Sequence, residues 1–128
     1  MTIDFDNCEK LYRGVKRRPK YIKRDKTITR NCFTYTGNGS NGCSVFRQMG
    51  RDNNIAVKDS LDKLGKNADF TVSVTYASCS DVDIYVEHTP SKNSEFHSEL
   101  FQNKEKEKLN DEQLDYLAIN CEIEENLD

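Results

Sequence analysis

Phe70, Val72, Val74 and Tyr76 alternate with Thr71, Ser73 and Thr75, and after Ser78-Cys79-Ser80-Asp81 the alternation returns in Val82, Ile84 and Val86. A period of two belongs to a pleated strand, whose side chains point to opposite faces in turn. A chain with two such runs builds a sheet. Residues 69–76 and 82–88 are expected to form a β-hairpin or neighbouring strands. Shorter runs add strands at 11–15 (Leu11-Tyr12-Arg13-Gly14-Val15), 43–47 and 96–101, the last also compatible with a helix.

Helical spacing occurs twice. Val57, Leu61 and Leu64 recur within 56–66, with Gly65 as terminator. Leu114, Leu117, Ala118 and Cys121 line one face of 110–121, where Asn110 and Gln113 stand at the spacing of a capping box and Asp111 and Glu112 suit the first turn. The acids of 122–128 oppose a helix dipole at its C-terminus, which predicts a frayed tail. The expected fold is therefore α+β: a small mixed or antiparallel sheet with two main helices packed on it, both on one face. With 128 residues, 35% of them hydrophobic, the chain can build one modest core, so 1–128 is read as a single domain.

Charge is segregated along the chain. Lys16, Arg17, Arg18, Lys20, Lys23, Arg24, Lys26 and Arg30 crowd a segment at 16–30 that Pro19 marks as mostly loop, while the last twenty residues carry no Lys or Arg. Ile22, Ile28 and the stretch up to Phe33 are expected to add edge structure or to pack across the core. The net charge of −3 thus conceals a basic segment suited to phosphate and an acidic C-terminal helix suited to a basic surface. Tyr12 and Tyr21 among the cations add a capacity for base stacking. Against a nucleic-acid role stand the pI of about 5.4 and an acidic helix that can fold back onto the same cations.

No apolar run approaches the ~20 residues of a membrane helix, and the start lacks the features of a secretion signal, which makes the cytoplasm the expected location. Cys8, Cys32, Cys43, Cys79 and Cys121 form no C-x-x-C pair and are odd in number, as expected of reduced thiols. A zinc site assembled from distant Cys and His would lack the close pair usual in structural sites, so no metal is expected. Nor is a cofactor: Gly37-x-Gly39-x-x-Gly42 has the letters of a dinucleotide loop, but Cys43-Ser44-Val45-Phe46 continues as a strand where a helix is required.

Candidate chemistry centres on His97 in Glu95-Phe96-His97-Ser98-Glu99, where carboxylates can orient an imidazole. With Arg13 nearby it would suit a metal-independent nuclease, in which a proton acceptor and a cation serve the phosphorane. The plain alternative is a strand histidine bonded to a neighbour. His88 has a weaker claim, and the two histidines form no repeated H-x-[ST] pair.

The landmarks Leu11-Tyr12-Arg13-x-Val15, Phe33, the glycine turn into Ser44-Val45, and Asn93-x-x-x-His97 after Pro90 resemble those of a scattered group of small bacterial proteins with no established reaction, over roughly residues 11–101. The resemblance implies a bacterial or phage origin and singles out Arg13, Ser44 and His97. Leu11-Tyr12-Arg13-Gly14 is also similar to the first strand of ADP-ribosyltransferases, which implies Arg13 on the dinucleotide phosphates and Glu99 as the catalytic carboxylate. The chain departs from that pattern: Phe33-Thr34-Tyr35-Thr36 replaces a Ser-Thr-Ser strand, and His97 stands where a second acid belongs.

The reading that results is a non-catalytic bacterial or phage interaction protein, part of a conflict or defence module of the toxin–antitoxin kind. It docks a protein partner, or nucleic acid, through Lys16, Arg17, Arg18, Lys20, Tyr21, Lys23 and Arg24, and makes no use of a membrane. The alternative is a small toxin-like enzyme acting on RNA or NAD through Arg13, His97 and Glu99.

Overall fold

The computed structural model describes residues 5–34 and 41–124. The glycine-rich turn expected at 36–42 therefore falls outside the described residues except for Asn41 and Gly42. Six strands form one sheet: β1 (Lys10–Val15), β2 (Cys43–Arg47), β3 (Phe70–Thr75), β4 (Tyr85–His88), β5 (His97–Phe101) and β6 (Glu122–Glu124). Their spatial order is β4-β5-β2-β1-β3-β6, and every pairing is antiparallel. The helices are α1 (Asn53–Leu64), α2 (Tyr76–Asp81) and α3 (Asp111–Asn120). The fold is α+β, as the sequence patterns predict.

The β1–β3 register, from Lys10 opposite Thr75 to Val15 opposite Phe70, defines the two faces of the sheet. Leu11, Arg13 and Val15 stand with Val74, Val72 and Phe70 on one face. That face carries the main core, which also takes in Ile28, Cys32 and Phe33 from the loop after β1, Cys79 from α2, and Leu114 and Leu117 from α3. Tyr12 and Gly14 stand with Ser73 and Thr71 on the other face, beneath Ala56, Val57 and Leu61 of α1. The helices thus do not share one face. The reason lies in β3, whose Thr71 and Ser73 are buried as fully as its valines: the polar half of the alternation is roofed by α1 and does not meet water.

The sequence expectation that 69–76 and 82–88 form a hairpin or neighbouring strands also fails. β3 and β4 lie on opposite sides of the sheet with β1, β2 and β5 between them. Thr75 accepts a hydrogen bond from the Ser78 amide and starts α2, and Asp83 then takes a positive φ of 57°. This carries the chain away from β3 so that β4 pairs with β5, joined to it by the 89–96 loop. Period-two alternation reports a strand's two faces but not its neighbour.

Nor is 122–124 frayed. The capping box of Asn110 and Gln113 forms as expected, α3 ends at Asn120, and the acids that follow add β6 to the exposed edge of β3. Glu124 accepts from Lys10 Nζ (2.7 Å), Ser73 Oγ (2.9 Å) and Asn53 Nδ2 (3.1 Å), while Asn53 Oδ1 accepts from the Tyr12 hydroxyl (2.8 Å). Burial alone would raise the Glu124 pKa, but these three donors outweigh it and hold the carboxyl below its ordinary value. Gly65 ends α1 as expected, with a φ of 56° and its N–H on the Leu61 carbonyl.

Two outcomes follow from this packing. A Cβ at Gly14 would stand 2.4 Å from Leu64 Cδ1 and 2.8 Å from Ala68 Cβ, so Gly14→Ala is expected to destabilise by about 1–3 kcal/mol in urea unfolding. An unchanged midpoint would refute the close approach of α1 to β1. Because the folded-state pKa of Glu124 is depressed, its contribution is complete above the ordinary value of 4.5 and is lost as pH falls through the lower folded value. Glu124→Gln should therefore lower stability at neutral pH and flatten its decline in acid; acid limbs that run parallel would contradict this.

Candidate functional site

Arg13 sits mid-strand on the core face, and three carbonyls consume its guanidinium: Nε donates to Cys32 O (3.0 Å), Nη1 to Ser44 O (2.9 Å) and Nη2 to Thr34 O (3.4 Å). It acts as a clamp holding the 3₁₀ turn Arg30–Phe33 against β1 and β2. A polar cleft of about 260 Å³ opens beside it, lined among others by Lys16, Tyr21, Asn31 and Asn67.

His97 and Glu99 lie on the other face. His97 stands opposite Phe46, and Phe46 opposite Tyr12, so these three form a row on the α1 side, whereas Arg13 is one residue out of phase with them. Glu99, two residues along β5, shares the face of His97. The sheet therefore separates Arg13 from the other two residues of the enzyme reading. His88 is on the Arg13 side, with Nδ1 3.4 Å from Ser98 Oγ; burial lowers its pKa, and Arg47 lowers it further.

His97 lines a cleft of about 540 Å³ whose other walls are Phe46, Lys63, Ser91, Asn93 and Ser94. Its Nδ1 lies 3.0 Å from the Thr89 carbonyl and 2.9 Å from Thr89 Oγ1. A carbonyl can only accept, so Nδ1 carries the proton and Nε2 presents its lone pair in the neutral imidazole. The Phe46 ring meets His97 edge to face, with centroids 6.0 Å apart. Asn93 is legible in sequence by its proximity to His97. Lys63, brought in by α1, carries no such signal, because only the packing of α1 on this face places it there.

The basic segment is an ordered loop. An Ile22–Ile28 bridge closes it, Lys23 N donates to Thr27 O, and Thr29 N donates to Tyr21 O. Lys16 Nζ donates to the Lys66 carbonyl, the Arg17 guanidinium lies over Phe70, and Lys20 Nζ lies over Tyr21. Arg30 reaches the acidic helix, pairing with Asp111 (3.0 Å) and, through two bonds of 2.9 and 2.7 Å, with Asp115. Among the described residues, Arg17, Arg18, Lys20, Lys23 and Arg24 enter no ion pair, and all five are exposed. Fold-back of the acidic helix thus neutralises Arg30 at one end of the cation run and leaves these five exposed. Stacking on Tyr12 is excluded: the ring is wholly buried under α1, and burial, then Glu124, raises its pKa. Tyr21 is half-buried against the core.

All five thiols are free. Cys32, Cys43 and Cys79 are buried and Cys121 half-buried; burial pushes Cys32 and Cys79 up to about 12, Cys121 up to about 11, and raises Cys43 as well. Among the described residues no group of three His, Cys, Asp or Glu stands placed to hold a metal ion, and no helix is long and apolar enough to cross a membrane.

Cys8 is the one exposed thiol, so a thiol reagent on the native protein should label it fast, half-buried Cys121 more slowly, and Cys32, Cys43 and Cys79 at the rate of unfolding. Rapid labelling of Cys32, Cys43 or Cys79, read by peptide mass spectrometry, would contradict the burial of the core thiols. Compared with known proteins, the chain matches no family model, no curated protein and no solved structure.

Proposed function

We propose that this chain is a non-catalytic interaction protein that docks through oppositely charged surfaces, its basic loop meeting an acidic partner protein. The observation that carries this reading is the loop itself: an ordered excursion whose Arg17, Arg18, Lys20, Lys23 and Arg24 remain exposed and outside any ion pair among the described residues, although an acidic helix lies within reach of Arg30. Here one arginine secures the loop to α3, while Arg18, Lys23 and Arg24 stay exposed and enter no ion pair among the described residues, a pattern suited to steering and orienting a partner of opposite sign. The separation of Arg13 from His97 and Glu99 favours this reading over the toxin-like enzyme acting on RNA or NAD. Membership of a bacterial or phage conflict or defence module is part of the same proposal, supported by the short sequence landmarks alone.

The test is a pull-down of the tagged protein from lysate, with and without nuclease, beside the triple variant R18E/K23E/R24E. These side chains are exposed, so the variant should unfold at the wild-type urea midpoint. An acidic protein recovered stoichiometrically after nuclease treatment, and lost from the variant, is the expected result. Recovery of nucleic acid alone would replace the protein partner with RNA or DNA, and equal capture by wild type and variant would overturn the role of the loop.

A further inference from the structure

The His97 cleft has a composition that neither the basic loop nor the fold requires. Its residues come from four segments: Phe46 from β2, Lys63 from the last turn of α1, Ser91, Asn93 and Ser94 from the β4–β5 loop, and His97 from β5. None of these lining residues is a carboxylate. Lys63 Nζ lies 3.9 Å from one oxygen of Asp59, whose other oxygen is 3.0 Å from Arg51 Nη1. One carboxylate thus faces two cations, Lys63 at the longer distance. Arg51 is in turn held over the Phe96 ring, 3.4 Å from its centroid.

The polar groups are directed by the local backbone. Ser91 Oγ accepts from Ser94 N (3.2 Å), and Ser94 Oγ accepts from Phe96 N (3.1 Å), so each oxygen is positioned while its O–H remains a donor. His97 Nδ1–H is committed to Thr89, which leaves Nε2 as the acceptor. Phe46 supplies a partly exposed aromatic wall. Several donors, one ammonium, one acceptor and an apolar wall within about 540 Å³ match the usual make-up of a small-molecule site.

We infer that this cleft binds a small phosphomonoester carrying a flat apolar group. The phosphoryl oxygens take the Lys63 ammonium and the donors of Ser91 and Asn93, the P–OH of the monoanion donates to His97 Nε2, and the apolar group lies against Phe46. A carboxylate has two oxygens and, when ionised, no donor for Nε2, so it meets fewer of these groups. His97 is on the α1 face, whereas Ile28, Cys32 and Phe33 of the basic loop pack into the core on the other, so this inference and the docking proposal stand or fall separately.

The experiment titrates the full chain with phenyl phosphate, inorganic phosphate and benzoate, following the His97 imidazole by NMR and affinity by calorimetry. Phenyl phosphate is expected to saturate and to shift His97, with inorganic phosphate and benzoate each weaker by about tenfold or more. H97N and K63M should each weaken phenyl phosphate by about tenfold or more at unchanged urea midpoints, and the R18E/K23E/R24E variant should bind it as wild type does. Absence of saturable binding, equal affinity for benzoate, or loss of binding only in the loop variant would overturn the inference. Should H97N unfold, K63M alone decides the matter, because Lys63 is a surface residue.

Discussion

The antiparallel register of β1 on β3 is the constraint on which the rest of this structure depends. Six residue pairs hold it, and it places Leu11, Arg13 and Val15 on one face and Tyr12 and Gly14 on the other. Because both faces are roofed, a slip by one residue would drive Arg13 under α1 and Tyr12 into the clamp around Cys32 and Thr34. Gly14 sets how near α1 can come, and that approach buries the Tyr12–Asn53–Glu124 network which fastens the edge strand β6. The phase of one strand thus sets which side chains meet α1 and which meet the main core.

A second constraint operates at the β1–β2 end. The Arg47 and Glu9 side chains are buried almost completely and pair through two bonds, Nε to Oε2 at 2.7 Å and Nη2 to Oε1 at 2.8 Å, with the Met49 amide also donating to Glu9. Phe5 lies over the guanidinium at 3.9 Å. Such a pair offsets its own desolvation only while both partners are present, and loss of one leaves a buried charge at a cost of about 3–5 kcal/mol. It ties the segment before β1 to the sheet and fixes which side of β2 faces the core.

The two proposed surfaces use charge differently. In the basic loop, most of the cations project into water, where their effect is long-ranged and weakened by salt. In the His97 cleft, the groups are fewer and held by neighbours: Thr89 sets the imidazole tautomer, backbone amides position two hydroxyls, and Asp59 is shared between Arg51 at 3.0 Å and Lys63 at 3.9 Å. The first arrangement suits the capture of a large partner, the second the recognition of a small one.

Local patterns in the sequence determined much of this protein. The alternation at 69–76, the runs at 11–15, 43–47 and 96–101, the spacing of Val57, Leu61 and Leu64, and the Asn110–Gln113 box each report on neighbours a few residues away, and corresponding elements form with ends shifted by a few residues. The cation run was likewise legible, as was His97 as a candidate. Tertiary structure alone decided which strands became neighbours, that α1 and α3 took opposite faces, that 122–124 joined the sheet, and that Arg13 was parted from His97 while Lys63 was brought to it. The physical reason is that periodicity specifies which side of an element is apolar, whereas partner, face and register follow from long-range packing and the closure of buried hydrogen bonds, which no short window of sequence contains.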